Sequence, residues 1–211
     1  MATKEIVIRP PRFALATFLI RGIAPLVINK FSKDAIGEIK EKQLAGSQAK
    51  KGKKRKARDF KKCFEQAAYI SKDGWYGMKT SAFRVALISA CRLAGFQMTL
   101  AKLAIFIEAD GTDLESGVPL VKIIGPKPEI SEMIGWIGGQ TKTPTIAIRP
   151  LWRKWAIELR IKFDEDIFSL EDITNLLMRV GMQVGVGEGR PDSPKSPGMN
   201  WGLFEIERKM K

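Results

Sequence analysis

The sequence predicts an α+β fold built on a βαββαβ core, and three observations predict it. Two amphipathic helical patterns stand out, at 80–94 and 169–180. Apolar or alternating runs at 13–21, 103–109, 155–163 and 202–208 flank them in the order strand, helix, strand, strand, helix, strand. Glycine or proline punctuates the ends of most of these segments, at Gly22, Gly95, Gly181 and Gly202 among others.

Residues 13–21, Phe-Ala-Leu-Ala-Thr-Phe-Leu-Ile-Arg, read as a mostly apolar central strand closed by Gly22 and Pro25. From Ser32 to about Ala45 the pattern turns polar and helix-like. Cys63 to Ile70 reads as re-entry into the fold, with Phe60 and Phe64 at helical spacing and Asp73-Gly74 as a turn. Met78 to Ala94 predicts a helix. Ser81 can cap it, Phe83, Ala86, Leu87, Ala90 and Leu93 or Ala94 form its apolar face, Arg84 and Arg92 fall off that face, and Gly95 ends it. Cys91 lies close to the apolar side and reads as a core thiol. Leu103 to Ala109 and Pro119 to Ile124 predict strands joined by an acidic turn. Ile130 to Ile137 and Thr143 to Ile148, on either side of Gly138-Gly139, add a further β segment.

Trp155 to Phe163 alternates most regularly. Trp155, Ile157, Leu159, Ile161 and Phe163 point one way, and Ala156, Glu158, Arg160 and Lys162 the other. Ser169 caps the last helix, with Asp172 placed to return the bond, and Ile173, Leu176, Leu177 and Val180 recur at helical spacing before Gly181 as a stop. The order is that of a ferredoxin-like or RRM-like core within a single domain, 1–211. A basic insertion at about 32–77 follows the first strand, and an additional β segment occupies about 119–150.

Composition narrows the function. A hydrophobic content of 45% over 211 residues supports a real core, whereas a formal charge of +13 favours a polyanionic partner over a small neutral substrate. Nucleic acid is the first candidate and an anionic membrane surface the second. Between Glu41 and Lys62 ten Lys/Arg face only Glu41 and Asp59, so this stretch holds +8 of the charge. Self-repulsion should keep it disordered when free; a solvated face or a localisation signal is the alternative to phosphate binding.

Arg21 interrupts the best apolar stretch, Phe13 to Ile28, below the ~18 residues of a spanning helix, and the N-terminus lacks a signal-peptide pattern. With two cysteines and no histidine, neither a disulfide framework nor the usual zinc sites can be built. The expectation is a cytoplasmic protein in a reducing compartment, with no cofactor, no metal and no catalytic residues. Missing histidine also removes the commonest general base and every Ser-His or Cys-His nucleophile. The carboxylate groups Glu108, Asp110, Asp113, Glu115 and Asp164, Glu165, Asp166 lie past strand-like runs, where turn chemistry favours acids, so a metal-dependent nuclease is the lesser reading.

The loop Gly185-Val186-Gly187-Glu188-Gly189-Arg190 follows a helix and precedes a strand. That order excludes the dinucleotide-binding fingerprint and the P-loop, both of which need strand before and helix after. Its glycines are expected to leave backbone amides uncovered for a close nucleic-acid strand, with Arg190 and Lys195 available for phosphate; a ligand-free connection is the alternative. Trp152-Arg153-Lys154-Trp155 interleaves aromatics with base, which suits stacking beside phosphates, although Trp155 itself reads as core. The candidate nucleic-acid contacts are Lys50, Lys51, Lys53, Lys54, Arg55, Lys56, Arg58, Lys61, Lys62, Ser81, Arg84, Trp152, Arg160, Lys162, Gly187, Gly189, Arg190 and Lys195.

Three pieces in order, Arg21-Gly22-Ile23-Ala24-Pro25-Leu26, Met78-Lys79-Thr80-Ser81-Ala82-Phe83-Arg84-Val85-Ala86-Leu87 and the glycine-rich loop before the last strand, span most of the chain. Together they resemble the RAMP superfamily of CRISPR-associated proteins, most closely the backbone subunits of the seventh Cas family. The resemblance implies a sequence-independent grip on single-stranded RNA by subunits that assemble along it, as a homo-oligomer or within a larger ribonucleoprotein. The insertion after the first strand would contact the strand.

The chain departs from that pattern in being short, in a loop less basic than usual and in an unusually basic insertion. Those departures suit a phage or prophage protein binding single-stranded DNA in recombination. A RAMP-type endoribonuclease shares the fold, but such enzymes often use histidine, leaving Lys, Tyr69 and Tyr76 here. A protein-docking module with a basic arm is the third class.

Overall fold

The computed structural model describes residues 10–46, 57–137, 143–193 and 198–207. It is an α+β protein with antiparallel sheets. Strand β1 (Phe13–Gly22) leads to β2 (Leu26–Val27) and helix α1 (Lys33–Ala45), and α2 (Phe60–Ala67) to β3 (Tyr69–Ile70) and β4 (Tyr76–Lys79). Helices α3 (Thr80–Leu93) and α4 (Met98–Ala104) precede β5 (Ile105–Ile107), β6 (Gly111–Thr112) and β7 (Pro119–Lys122). Then come β8 (Glu129–Ile137), β9 (Thr143–Trp152), β10 (Ala156–Asp164), α5 (Leu170–Arg179) and β11 (Phe204–Ile206). The strands form three sheets, ordered β11-β1-β10-β5, β2-β9-β8 and β3-β4-β7-β6.

The ladder from Phe13↔Asp164 to Arg21↔Ala156 joins β1 to β10. Because side chains alternate along each strand, Ile20, Ile157, Leu159, Ile161 and Phe163 fall on one face. There they are buried in one cluster with Phe83 and Leu87 of α3 and Ile173 and Leu177 of α5. Both helices therefore cover the same face. The alternation expected for 155–163 holds, as does the capping box of α5: Asp172 N donates to Ser169 Oγ at 3.1 Å and Ser169 N to Asp172 Oδ2 at 2.9 Å. Cys91 is buried in the core, where burial pushes its thiol pKa up.

Several boundaries differ from the sequence expectation. Met78 and Lys79 belong to β4, paired with Val121 and Leu120, so α3 starts at Thr80 and no side chain caps it; Ser81 sits exposed inside the first turn. Residues 98–104 form a helix that takes in Leu103 and Ala104, expected to open a strand; Ala101 and Ala104 bury their small side chains in the core. The strand expected at 103–109 shrinks to β5, which lies in a different sheet from β7. Gly181 does not stop the last helix. A π-helical turn, Val180–Val184, carries it on to Gly185, while a Cβ on Gly181 would stand 2.1 Å from the Phe204 carbonyl oxygen. That glycine serves close passage of β11. The last strand, expected at 202–208, is confined to β11 among the described residues.

A buried ion pair holds the chain after β2 against the β3-β4-β7-β6 sheet. Lys30 Nζ lies 2.9 Å from both Asp113 Oδ2 and Glu115 Oε2 and 5.4 Å from the Tyr69 ring centroid. Asp113 also accepts from Ile70 N (3.3 Å), Ser116 N (2.8 Å) and Ser116 Oγ (2.6 Å). Burial pushes the Asp113 carboxyl up, but the bonds from Ser116 and Lys30 outweigh it and hold its pKa below the ordinary carboxylate value. Lys30 likewise lowers that of Glu115.

The depressed Asp113 contributes stability that is fully present above the unfolded carboxylate pKa of about 4 and is lost as pH falls through its lower folded value. Lys30→Met, which strands the Asp113 carboxylate, is expected to cost about 3–5 kcal/mol at pH 7 by urea unfolding. The deficit should narrow below about pH 4, where the stranded carboxylate can protonate. A deficit that stays constant down to pH 3 would show that the pair does not set this stability.

Candidate nucleic-acid interface

Charge is unevenly distributed along the chain. Of 36 Lys/Arg and 23 Asp/Glu in the chain, 23 and 22 fall among the described residues, a net of +1. The other +12 is carried by 1–9, 47–56, 138–142, 194–197 and 208–211, with six basic residues and no acid in 47–56. Lys50, Lys51, Lys53, Lys54, Arg55, Lys56 and Lys195 lie outside the described residues.

The flanks of 47–56 are held in place. Asp59 caps α2 through the Lys62 amide (3.1 Å), and Lys62 Nζ reaches Asp34 of α1 at 2.7 Å. Asp34 raises the Lys62 pKa through that bond. Arg58 Nη1 donates to Thr145 Oγ1 and to the Ile146 carbonyl, both at 3.0 Å, tying the segment to β9. Lys61 is exposed. Residues 47–56 therefore run between two anchored helices, with Arg58 and Lys62 engaged by the protein itself.

Of the amides in the glycine-rich loop, those of Gly185, Val186 and Glu188 are bonded within the protein, whereas Gly187 N and Gly189 N make no backbone–backbone hydrogen bond among the described residues. Gly185 N donates to Val180 O (2.7 Å), Val186 N to Gly202 O (3.0 Å) and Glu188 N to Val27 O (2.9 Å). Gly187 has φ +84°, and a Cβ there would stand 2.5 Å from the Val27 carbonyl oxygen. A Cβ on Gly189 would meet the Trp201 ring at 2.8 Å, while its carbonyl accepts from Met199 N at 2.7 Å. What approaches these glycines is the protein's own chain, β2 on one side and Met199 to Gly202 on the other.

Side chains reinforce this packing. Arg190 Nη1 donates to Gly187 O at 3.1 Å, and Glu188 pairs with Arg149 at 2.7 Å. Asp192 accepts from Ser89 Oγ and lies 2.9 Å from Arg92 Nη2, which fastens the loop to α3; the Ser89 bond leads in lowering its pKa.

Two further candidates have structural work. Trp152 is 1% exposed and stacks edge-on with Tyr76, so it cannot meet a nucleobase. Trp155 is core, as its sequence position implies, and its Nε1 donates to Ala24 O at 2.8 Å. Arg84 donates to the Lys102 carbonyl and, at 2.9 Å, to the Ile105 carbonyl. It satisfies oxygens at the C-terminal end of α4 that have no intrahelical donor. Several of the carboxylates are engaged too. Asp113 is in the buried pair, Asp110 holds Arg160 at 2.9 Å, and Asp164 accepts from Asp166 N at 3.0 Å.

The face of the four-stranded sheet opposite the helices is open. The registers place Leu15, Lys162 and Phe106 in one row across β1, β10 and β5, with Thr17 and Arg160 in the next. Phe13 is 39% exposed, Leu15 52% and Phe106 37%. Lys162 Nζ lies 5.0 Å from the Phe13 centroid, and the Phe13 and Phe106 rings meet edge to face at 5.8 Å. Arg160 and Lys162 thus stand on an accessible surface, as the alternation implies. Phe13, Leu15 and Phe106 are not among the candidates that the sequence singles out. Their signal lies in the period of two: Phe13, Leu15 and Thr17 share a face with Arg21, not with buried Ile20.

No family model matches the chain, and no curated protein is significantly similar to it.

If the loop glycines serve internal packing, Gly187→Ala should destabilise the ligand-free protein by about 1–3 kcal/mol, read from denaturant unfolding. Unchanged stability would mean that the close approach of β2 is not what requires glycine.

Proposed function

We propose that the protein is a non-enzymatic, largely sequence-independent binder of single-stranded nucleic acid. The basic segment Lys50–Lys62 neutralises phosphates, and RNA is favoured by the resemblance to CRISPR backbone subunits. The observation that carries this reading is the density of charge in the sequence: between Glu41 and Lys62 ten Lys/Arg stand against two acids, and 47–56 holds six Lys/Arg and no acid. A dense cationic stretch between anchored ends suits a flexible polyanion whose phosphates are spaced along a chain.

The finer fold assignment belongs to the same proposal. In the four-stranded sheet, β1, β5, β10 and β11 stand as the first to fourth core strands and lie in the order fourth, first, third, second. α3 falls between β1 and β5, and α5 between β10 and β11. This arrangement supports a ferredoxin-like βαββαβ core of the kind on which RAMP proteins are built. Cooperative assembly along the strand, as a homo-oligomer or part of a ribonucleoprotein, follows from the same resemblance.

Binding should weaken steeply with salt because neutralised phosphates release counterions. Changing Lys53, Lys54, Arg55 and Lys56 together to Ala should flatten the slope of log affinity against log salt by roughly 3, at about 0.7 for each phosphate no longer neutralised on a single strand. Anisotropy titrations of single-stranded RNA, single-stranded DNA and duplex DNA between 50 and 200 mM salt, taken as about the usual working range, read this directly. Tighter binding to duplex than to either single strand, or an unchanged slope in the variant, would overturn the proposal.

A further inference from the structure

We infer that two copies of the chain associate across a two-fold axis through the open edge of β1 and the adjoining flank of α5. This interface is independent of the nucleic-acid reading and is tested on the protein alone.

Strand β1 pairs with β10 from Phe13 to Arg21, but with β11 only from Ile20 to Gly22. Leu19 O accepts from Glu207 N at 2.7 Å, so the alternation of an antiparallel ladder turns the N–H and C=O of Leu15 and Thr17 to that same side. No described strand meets them there. Residues 13–18, Phe-Ala-Leu-Ala-Thr-Phe, carry neither the charge nor the proline that ordinarily guards an exposed edge.

Beside this edge lies a groove lined by Ala14, Ala16 and Phe18 of β1 and by Leu170 and Thr174 of α5, with Glu165 at its Ala14 end. Along α5 and the π-helical turn, Leu170, Thr174, Met178 and Met182 recur at every fourth residue and form one ridge. Leu170 is 56% exposed, Met178 45% and Met182 68%, while Thr174 donates its hydroxyl to the Leu170 carbonyl at 2.8 Å. Glu171 and Arg179 stand on the neighbouring ridge, neither in an ion pair among the described residues.

A second copy of this chain is the partner these features fit. With the axis at Ala16, Leu15 of each copy lies opposite Thr17 of the other, and each such pair exchanges N–H···O bonds in both directions. Along 13–18 no charge is brought opposite another of its sign. The same axis sets the two α5 helices antiparallel, ridge against ridge, and brings Glu171 of one copy towards Arg179 of the other on each side of the axis. Such a contact is isologous and closes at the dimer.

Sedimentation equilibrium of the full chain, free of nucleic acid, should show a reversible monomer–dimer equilibrium. Leu15→Glu with Thr17→Glu sets like charges opposite each other across the axis, yet within each copy it places them beside Lys162 and Arg160, so the fold is kept. It should raise the dimer dissociation constant about tenfold or more. Glu171→Arg should weaken the dimer about fivefold, and adding Arg179→Glu should restore it, a rescue that loss of folding would not give. A wild type that stays monomeric, or a dimer indifferent to Leu15→Glu with Thr17→Glu, would overturn the interface and leave the edge of β1 to a strand from elsewhere. Failure of Arg179→Glu to rescue Glu171→Arg would overturn the α5 contact and with it the placement of the axis.

Discussion

The pairing of β1 with β10 is the constraint on which the rest depends. A side-chain period of two means that one register assigns both faces: Ile20, Ile157, Leu159, Ile161 and Phe163 inward, Leu15, Arg160 and Lys162 outward. A slip of one residue would bury Lys162 beneath α3 and α5 and expose the core. The fully buried Phe83, Leu87, Ile173 and Leu177 are the counterparts that make this slip costly, since each is worth about 1.5–3 kcal/mol of burial. The core and the accessible face are two consequences of one ladder.

Around that ladder, polar contacts close the places where irregular chain must pass the body. Lys30 with Asp113 and Glu115 fixes the exit from β2. Asp192 with Ser89 and Arg92 fixes the glycine-rich loop. Arg84 ends α4. These contacts pair opposite charges within the protein. The balance of the +13 is borne by short segments with little acid of their own. The densest positive charge therefore lies in 47–56.

The sequence disclosed most where periodicity and tertiary packing agree. The regular alternation of 155–163, the Ser169 capping box and the apolar stripe from Phe83 to Ala90 all hold in the structure. It misled where a partner outside the local window decides. Met78 and Lys79 have helical neighbours but are drawn into β4 by β7. Met98 to Ala104 carries no Gly or Pro to mark a helix end, and Arg84, distant in sequence, terminates it.

Site residues follow the same rule. Arg160 and Lys162 were legible because strand period alone sets their face. Trp152 was not, because only its contact with Tyr76 and the β2 pairing reveal that it is core. Gly187 and Gly189 announce close approach by something, and only the fold identifies it as Val27 and Trp201. Phe13 and Phe106 become a pair only when β10 brings their strands together.

The most direct measurement is photocrosslinking of the full chain to single-stranded RNA carrying 4-thiouridine, with the attached peptides mapped by mass spectrometry. Crosslinks are expected in peptides from Lys50–Lys62. Crosslinks confined to the β8–β9 hairpin or to the glycine-rich loop, with none in Lys50–Lys62, would contradict a strand-binding basic segment.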